Sequence, residues 1–159
     1  AGDLEAAITP NTRWLILNSP SNPTGSVYSR EELEALAAVL LRHPDVLIMT
    51  DDIYEHLIYG DARFFTLAQV EPELSHRTLT CNGMSKAYCM TGWRIGFAGG
   101  PEPLIRAMAK LQSQSTSNPT SISQYAATAA LKGGRDFLTE MLTAYEERRD
   151  TVVGLLGSI

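Results

Sequence analysis

Cysteine is scarce: two residues in 159, Cys81 and Cys89. They lack CxxC spacing and stand near no histidine pair, which argues against a disulfide framework or a metal site. Reduced, structural thiols of a cytosolic protein are the expectation. No apolar run reaches the length of a membrane span, and the first residues do not have the make-up of a signal peptide. Basic tracts are missing too, and a net charge of −5 with a pI near 5.1 excludes wholesale nucleic-acid binding. Internal repeats, low-complexity tracts and linkers are all lacking. What remains is 44% hydrophobic and 19% charged, too apolar for a disordered chain and long enough for one domain with a real core.

The hydrophobic pattern divides that domain. "RWLILNS" is an apolar run stopped by Pro20 and predicts a buried strand, followed by a turn at "PSNPTG". Ser29 with Glu32 three residues on is a capping box, and Leu33, Leu36, Ala37, Leu40 and Leu41 then recur on one helical face until Pro44. "DVLIMT" predicts a second strand that runs into Asp51 and Asp52. Strand, helix, strand within about forty residues is a βαβ unit, hence a parallel sheet with a right-handed crossover. "HRTLTCNG" and "RIGFAGG" supply two further strands, the second beginning at Arg94. Beyond Pro101 the pattern turns helical: Leu104, Ile105, Met108 and Leu111 mark one helix, "SISQYAATAALKGG" a second, and the segment from Asp136 a long third. The fold class is α/β.

Open α/β sheets gather ligands beyond the carboxyl ends of their strands, and three unusual stretches fall there: "NSPSNPTG", "TDDIYEH" and "NGMSKAY". Each has an ordinary reading as well. Asn22 suits a turn. Asp51 suits a helix N-cap if "IYEHL" begins a helical turn, although a carboxylate at the end of an apolar strand also calls for a cationic or hydrogen-bonding partner. Tyr54 suits a core. Most lysines are solvated, yet Lys86 follows Ser85, lies between Gly83 and Gly92, and has Met84, Ala87, Tyr88, Cys89 and Met90 as neighbours. An amine in apolar surroundings is suited to condense with an aldehyde. Arg94 calls for an anion, for which phosphate is a natural bidentate match, and Ser85 can add a hydroxyl. An amine, an acid for a ring nitrogen, an arginine and a serine for phosphate, and Asn and Tyr for a ring hydroxyl together suit pyridoxal 5′-phosphate.

"NPTG", "DDIYE", "SKAYCMTGWRIG" and "SNPTS", in this order, resemble the class I aminotransferases of fold type I, and most of all the bacterial aspartate aminotransferases. The resemblance runs over essentially the whole chain. It implies that Lys86 binds the cofactor covalently and shuttles the proton, and that Asp51 pairs with the pyridine nitrogen. By the same resemblance Tyr54 and Asn22 hydrogen-bond the ring oxygen, Asn22 also lies beside the substrate α-carboxylate, and Ser85 and Arg94 grip the phosphate. A cis bond before Pro23 is expected on the same ground. Asp52 stands where many relatives carry Glu.

The resemblance further implies a three-layer α/β/α large domain with a mostly parallel sheet, of which residues 1–159 are a part. The N-terminal portion of that domain and a C-terminal small domain with the substrate-binding arginine are expected to lie outside. The parent is then expected to be a cytoplasmic homodimer that moves an amino group from an amino acid, aspartate first, to a 2-oxo acid such as 2-oxoglutarate, while this piece alone is inactive. The retained residues bind cofactor and say little about substrate. An aromatic, prephenate-type or alanine-type transaminase, a lyase on the same fold, or the aminotransferase-like domain of a cofactor-sensing transcription regulator remain alternatives.

Overall fold

A computed structural model describes residues 1–158. Four strands form one sheet in the order β1 (Trp14–Asn18), β2 (Leu47–Asp51), β3 (Thr78–Gly83), β4 (Gly96–Gly99). The first three are parallel, with Asn18 opposite Asp51 and Asp51 opposite Cys81, and β4 returns antiparallel with Gly96 opposite Gly83. The mostly parallel α/β architecture is the one expected. Its register also brings the last residues of β1, β2 and β3 to a common edge, where the three unusual loops begin.

The helices are α1 (Gly2–Ala7), α2 (Arg30–Leu41), α3 (Leu67–Val70), α4 (Glu102–Ser115), α5 (Ser121–Lys132) and α6 (Asp136–Leu156), with short 3₁₀ turns at Pro72–Arg77 and Thr91–Trp93. The capping box that opens α2 is present on both sides: the Ser29 hydroxyl accepts from Glu32 N at 3.2 Å and the Glu32 carboxylate accepts from Ser29 N at 2.8 Å. Leu33, Leu36, Ala37 and Leu40 of α2 then meet Ile48 of β2, Leu67 and Val70 of α3, and Leu74 in one core. Alternation along the strands assigns Ile48 and Thr50 to this covered face. On the other face Trp14, Ile16 and Leu47 are exposed, Ile16 by 62%.

A buried arginine closes the far end of α2. Arg77, only 6% exposed, donates to Leu40 O at 2.7 Å, to His43 O at 3.0 Å and to Val46 O. Leu40 O and His43 O already accept from backbone N–H groups of the helix end and its exit turn, and the guanidinium gives them a second, charged donor.

One open alternative is decided and one expectation is corrected. "IYEHL" forms successive turns and no helix, because the Asp51 carboxylate accepts from Ile53 N two residues on (3.3 Å) and closes a tight turn in place of an N-cap. Arg94 does not begin a strand. It closes the Thr91–Trp93 turn in the left-handed region (φ 50°, ψ 50°), and β4 starts two residues later. Gly96 has to pass the β3 backbone so closely that a Cβ there would lie 3.0 Å from Asn82 O, so the pairing starts at the glycine. The long helix expected from Asp136 is present, with Leu138 its buried residue.

Candidate active site

The edge is assembled from backbone outwards. At the end of β1, Asn18 does two things: its side-chain Nδ2 donates to Asp51 O at 3.2 Å, and its Oδ1 accepts from Asn22 N at 2.9 Å. It therefore ties the "SNPTG" turn to the end of β2. Both Ser19–Pro20 and Asn22–Pro23 are cis; the second was expected and the first was not. Asn18 was also missed as a candidate, although an Asn at a strand end just before Ser-Pro is a sequence signal that could have drawn notice.

After β2 the chain turns at once. Glu55 N donates to Asp52 O and Leu57 N to Tyr54 O, which places Tyr54 one turn beyond Asp51. After β3 a second tight turn carries Ser85 and Lys86, closed by Cys89 N to Lys86 O at 3.1 Å and by Met90 N to Met84 O at 3.2 Å. Met84 and Ala87 are buried and anchor this turn, while Ser85 and Lys86 are half-buried. The two turns meet: the Lys86 ammonium lies 5.4 Å from the centroid of the Tyr54 ring, over its face. Asn82, the residue before Gly83, donates to the Glu55 carboxylate at 2.8 Å and couples the same two loops from beneath.

Arg94 is further out. It is exposed, and its Nη1 donates to Thr91 O at 3.1 Å. Gly96 opposite Gly83, with Met84 N bonded to Ile95 O, sets Arg94 beside the start of the Ser85–Lys86 turn. Asn22 is exposed and Asp51 and Tyr54 half-buried. Contacts thus join Lys86 to Tyr54 and link Asn22, through Asn18, to Asp51. Ser85 and Arg94 share the same edge without a direct bond to those four.

Among the described residues, Lys86, Asp51 and Arg94 take part in no salt bridge, though the chain pairs other cations with acids readily. An amine, an acid and a guanidinium left unpaired along one sheet edge fit a ligand with an electrophilic carbon, a basic nitrogen and a dianion. Pyridoxal phosphate has all three.

The whole of residues 1–159 matches the model of the family described as aminotransferase class I and II. The chain belongs to that family. The aspartate/prephenate aminotransferase of Cereibacter sphaeroides is 65% identical over 154 residues, which are 97% of this chain and 38% of that protein. The aspartate aminotransferase of Rhizobium meliloti is 60% identical over 159 residues, 100% of this chain and 39% of the other. Among solved structures, an aspartate aminotransferase from Rhizobium meliloti superposes with a TM-score of 0.97 at 59% identity, covering 99% of this chain and 40% of that one. The aromatic aminotransferase of Pyrococcus horikoshii superposes at 0.93 with 40% identity, over 99% of this chain and 42% of that one. The chain spans about two-fifths of the length of the relatives it matches. Class I aminotransferases work with pyridoxal phosphate, so the cofactor expected from the residues is the family's own.

Family membership also puts the sulfur groups in perspective. Cys81 and Cys89 are free thiols. Burial, helped by the nearby Asp51 and Asp52 charges, pushes the Cys81 thiol up, away from nucleophilic character. No helix among the described residues is long and apolar enough to cross a membrane.

Proposed function

We propose that the protein containing this chain is a pyridoxal-phosphate aminotransferase that takes the amino group of aspartate and passes it to a 2-oxo acid, with 2-oxoglutarate as acceptor. Residues 1–159 form part of its cofactor-binding large domain. The rest of that domain and a small domain lie outside, and the working unit is a cytoplasmic homodimer. When bound, the cofactor supplies an electron sink that makes the substrate Cα–H acidic. The chain's own residues do the rest. With the cofactor bound, Lys86 Nζ would hold it covalently and would carry the proton removed from the substrate Cα. Asp51 would keep a proton on the pyridine nitrogen, the Tyr54 hydroxyl and the Asn22 amide would orient the ring, and Ser85 and Arg94 would fix the phosphate.

The observation that carries this reading is the Lys86 ammonium poised over Tyr54, with no acid paired to it among the described residues, on the same sheet edge as Asp51. In the full-length protein, Lys86→Ala is expected to abolish the visible absorbance of covalently held cofactor; an unchanged spectrum would remove Lys86 from its role. The relative from Cereibacter sphaeroides favours prephenate as a second partner for the same site. Screening amino donors and acceptors separates the two. Because the arginine that holds the substrate α-carboxylate is expected outside residues 1–159, the chain alone is expected to show no turnover.

A further inference from the structure

Directly behind the cofactor carboxylate stands a second one. Asp52 is 5% exposed and, by the alternation of β2, belongs to the core side of the sheet where Asp51 belongs to the ligand side. Its backbone N–H continues the ladder to β3 by donating to Cys81 O at 2.9 Å, and its carbonyl accepts from Glu55 N, so Asp52 is also the first residue of the turn that carries Tyr54. Around its carboxyl lie two threonines. Thr50 is buried and shares a 3.2 Å hydroxyl contact with Thr80 on β3. Thr66, at the start of α3, has a buried hydroxyl with no well-formed hydrogen bond of its own, and it lies close enough to the Asp52 carboxyl to favour its anion. Among the described residues no cation forms a salt bridge with it. The charged or titratable neighbours that act on it are acidic, Glu55 and Asp51, while Cys81 across the ladder feels its charge. His56, on the same turn, is paired with Glu55 at 3.2 Å.

An unbalanced buried carboxyl is costly to keep, which asks for a reason. We infer that Asp52 is a positioning residue that acts on the cofactor site through Asp51: its carboxyl, buried on the core side directly after Asp51 and at the first residue of the turn that carries Tyr54, adds its charge to the field that Asp51 presents to the ligand. Burial, only partly opposed by the two hydroxyls, raises its pKa to about 6, so that added charge is present above pH 6 and lost below it.

This inference rests on the cofactor reading above. Its test uses the full-length protein loaded with pyridoxal phosphate, the pH dependence of the visible cofactor band from pH 5 to 9, and a thermal unfolding scan of each variant. Asp52→Asn removes the charge at nearly constant shape. The band's pH midpoint is expected to fall by roughly half to one unit, since less negative potential favours loss of the cofactor proton. The additional inflection near pH 6 should vanish at the same time. Asp52→Glu should keep that inflection. Thr66→Val removes a hydroxyl that favours the anion, and should move the inflection to higher pH. A wild-type band titration in Asp52→Asn, whatever its stability, overturns the inference. Should that variant fail to fold, an unmoved inflection in Thr66→Val overturns it instead. Absence of any visible band in the wild type overturns the cofactor reading and this inference with it, whereas normal bands in wild type and Asp52→Asn alike overturn the inference alone.

Discussion

Arg77 and Lys86 stand less than ten residues apart in sequence, at opposite ends of β3, and the fold handles them in opposite ways. At the strand's entrance the Arg77 guanidinium is buried and given three backbone carbonyls, from Leu40, His43 and Val46. Its hydrogen-bonding capacity is spent on holding the end of α2 to the sheet. At the strand's exit the Lys86 ammonium is half-buried, faces an aromatic ring, and has no carboxylate partner among the described residues. A cation whose bonds are filled by the fold serves stability. One left with its donors unfilled, on a turn rigidly closed by its own backbone, is available for chemistry.

The largest test of that contrast is to remove each cation and compare what fails. In the full-length protein, Lys86→Ala should cost roughly a thousandfold or more in turnover, since on the roles proposed for it both the covalent anchor and the proton carrier are removed. Its unfolding free energy should change by no more than about 1 kcal/mol, as for a half-buried side chain that loses only its contact with the Tyr54 ring. Arg77→Met should do the reverse. It takes a charged donor away from three carbonyls, two of which keep a backbone donor, and hydrogen bonds from a charged group are individually worth about 1.5–3 kcal/mol, so a loss of about 3 kcal/mol is expected. Denaturant titration measures it. Cofactor loading of the fraction that folds should be unchanged, and a Lys86→Ala protein that unfolds as readily as Arg77→Met would erase the distinction.

A smaller effect separates the two carboxylates at the end of β2. Asp52 has a folded pKa raised from 3.8 to about 6, chiefly by burial, so the folded state binds its proton more tightly than the unfolded chain does. Stability from this group is therefore full below pH 4, declines as pH rises from 4 to 6, and stays reduced above that. Asp52→Asn should then gain about 1–2 kcal/mol at pH 8 relative to wild type and nothing at pH 3.5. Equal effects at the two pH values would contradict a carboxyl that is hard to ionise.

These comparisons also explain what could be read from the chain without its structure. Lys86, Ser85 and Arg94 fall within ten residues, so their grouping is written in one unbroken stretch, and Asn22, Asp51 and Tyr54 each follow an apolar run that marks a strand end. The links between those stretches are not written anywhere. Asn18 reaches Asp51 across 33 residues, Asn82 reaches Glu55 across 27, and Arg77 reaches Leu40 across 37. Such contacts depend on the sheet register, which pattern alone does not number. The left-handed turn at Arg94 was hidden for a similar reason: "RIGFAGG" has a strand's composition, and the close approach of Gly96 to β3 is what delays the pairing.

The two ends of α2 turn this difference in legibility into the smallest of the tests. Its C-terminal end depends on Arg77, more than thirty residues away, while its N-terminal end depends on Ser29 and Glu32, three apart. Ser29→Ala removes a hydroxyl that accepts from an otherwise unpaired N–H at an exposed helix start, where water can replace much of what is lost. The expected cost is about 1 kcal/mol, measured by denaturant titration, well below that of Arg77→Met on the same helix. Ser29→Asp should restore most of it, because a carboxylate also caps and suits the positive end of the helix dipole. If Ser29→Ala proved as damaging as Arg77→Met, the N-terminal end of α2, and not its buried far end, would be what fastens this helix to the sheet.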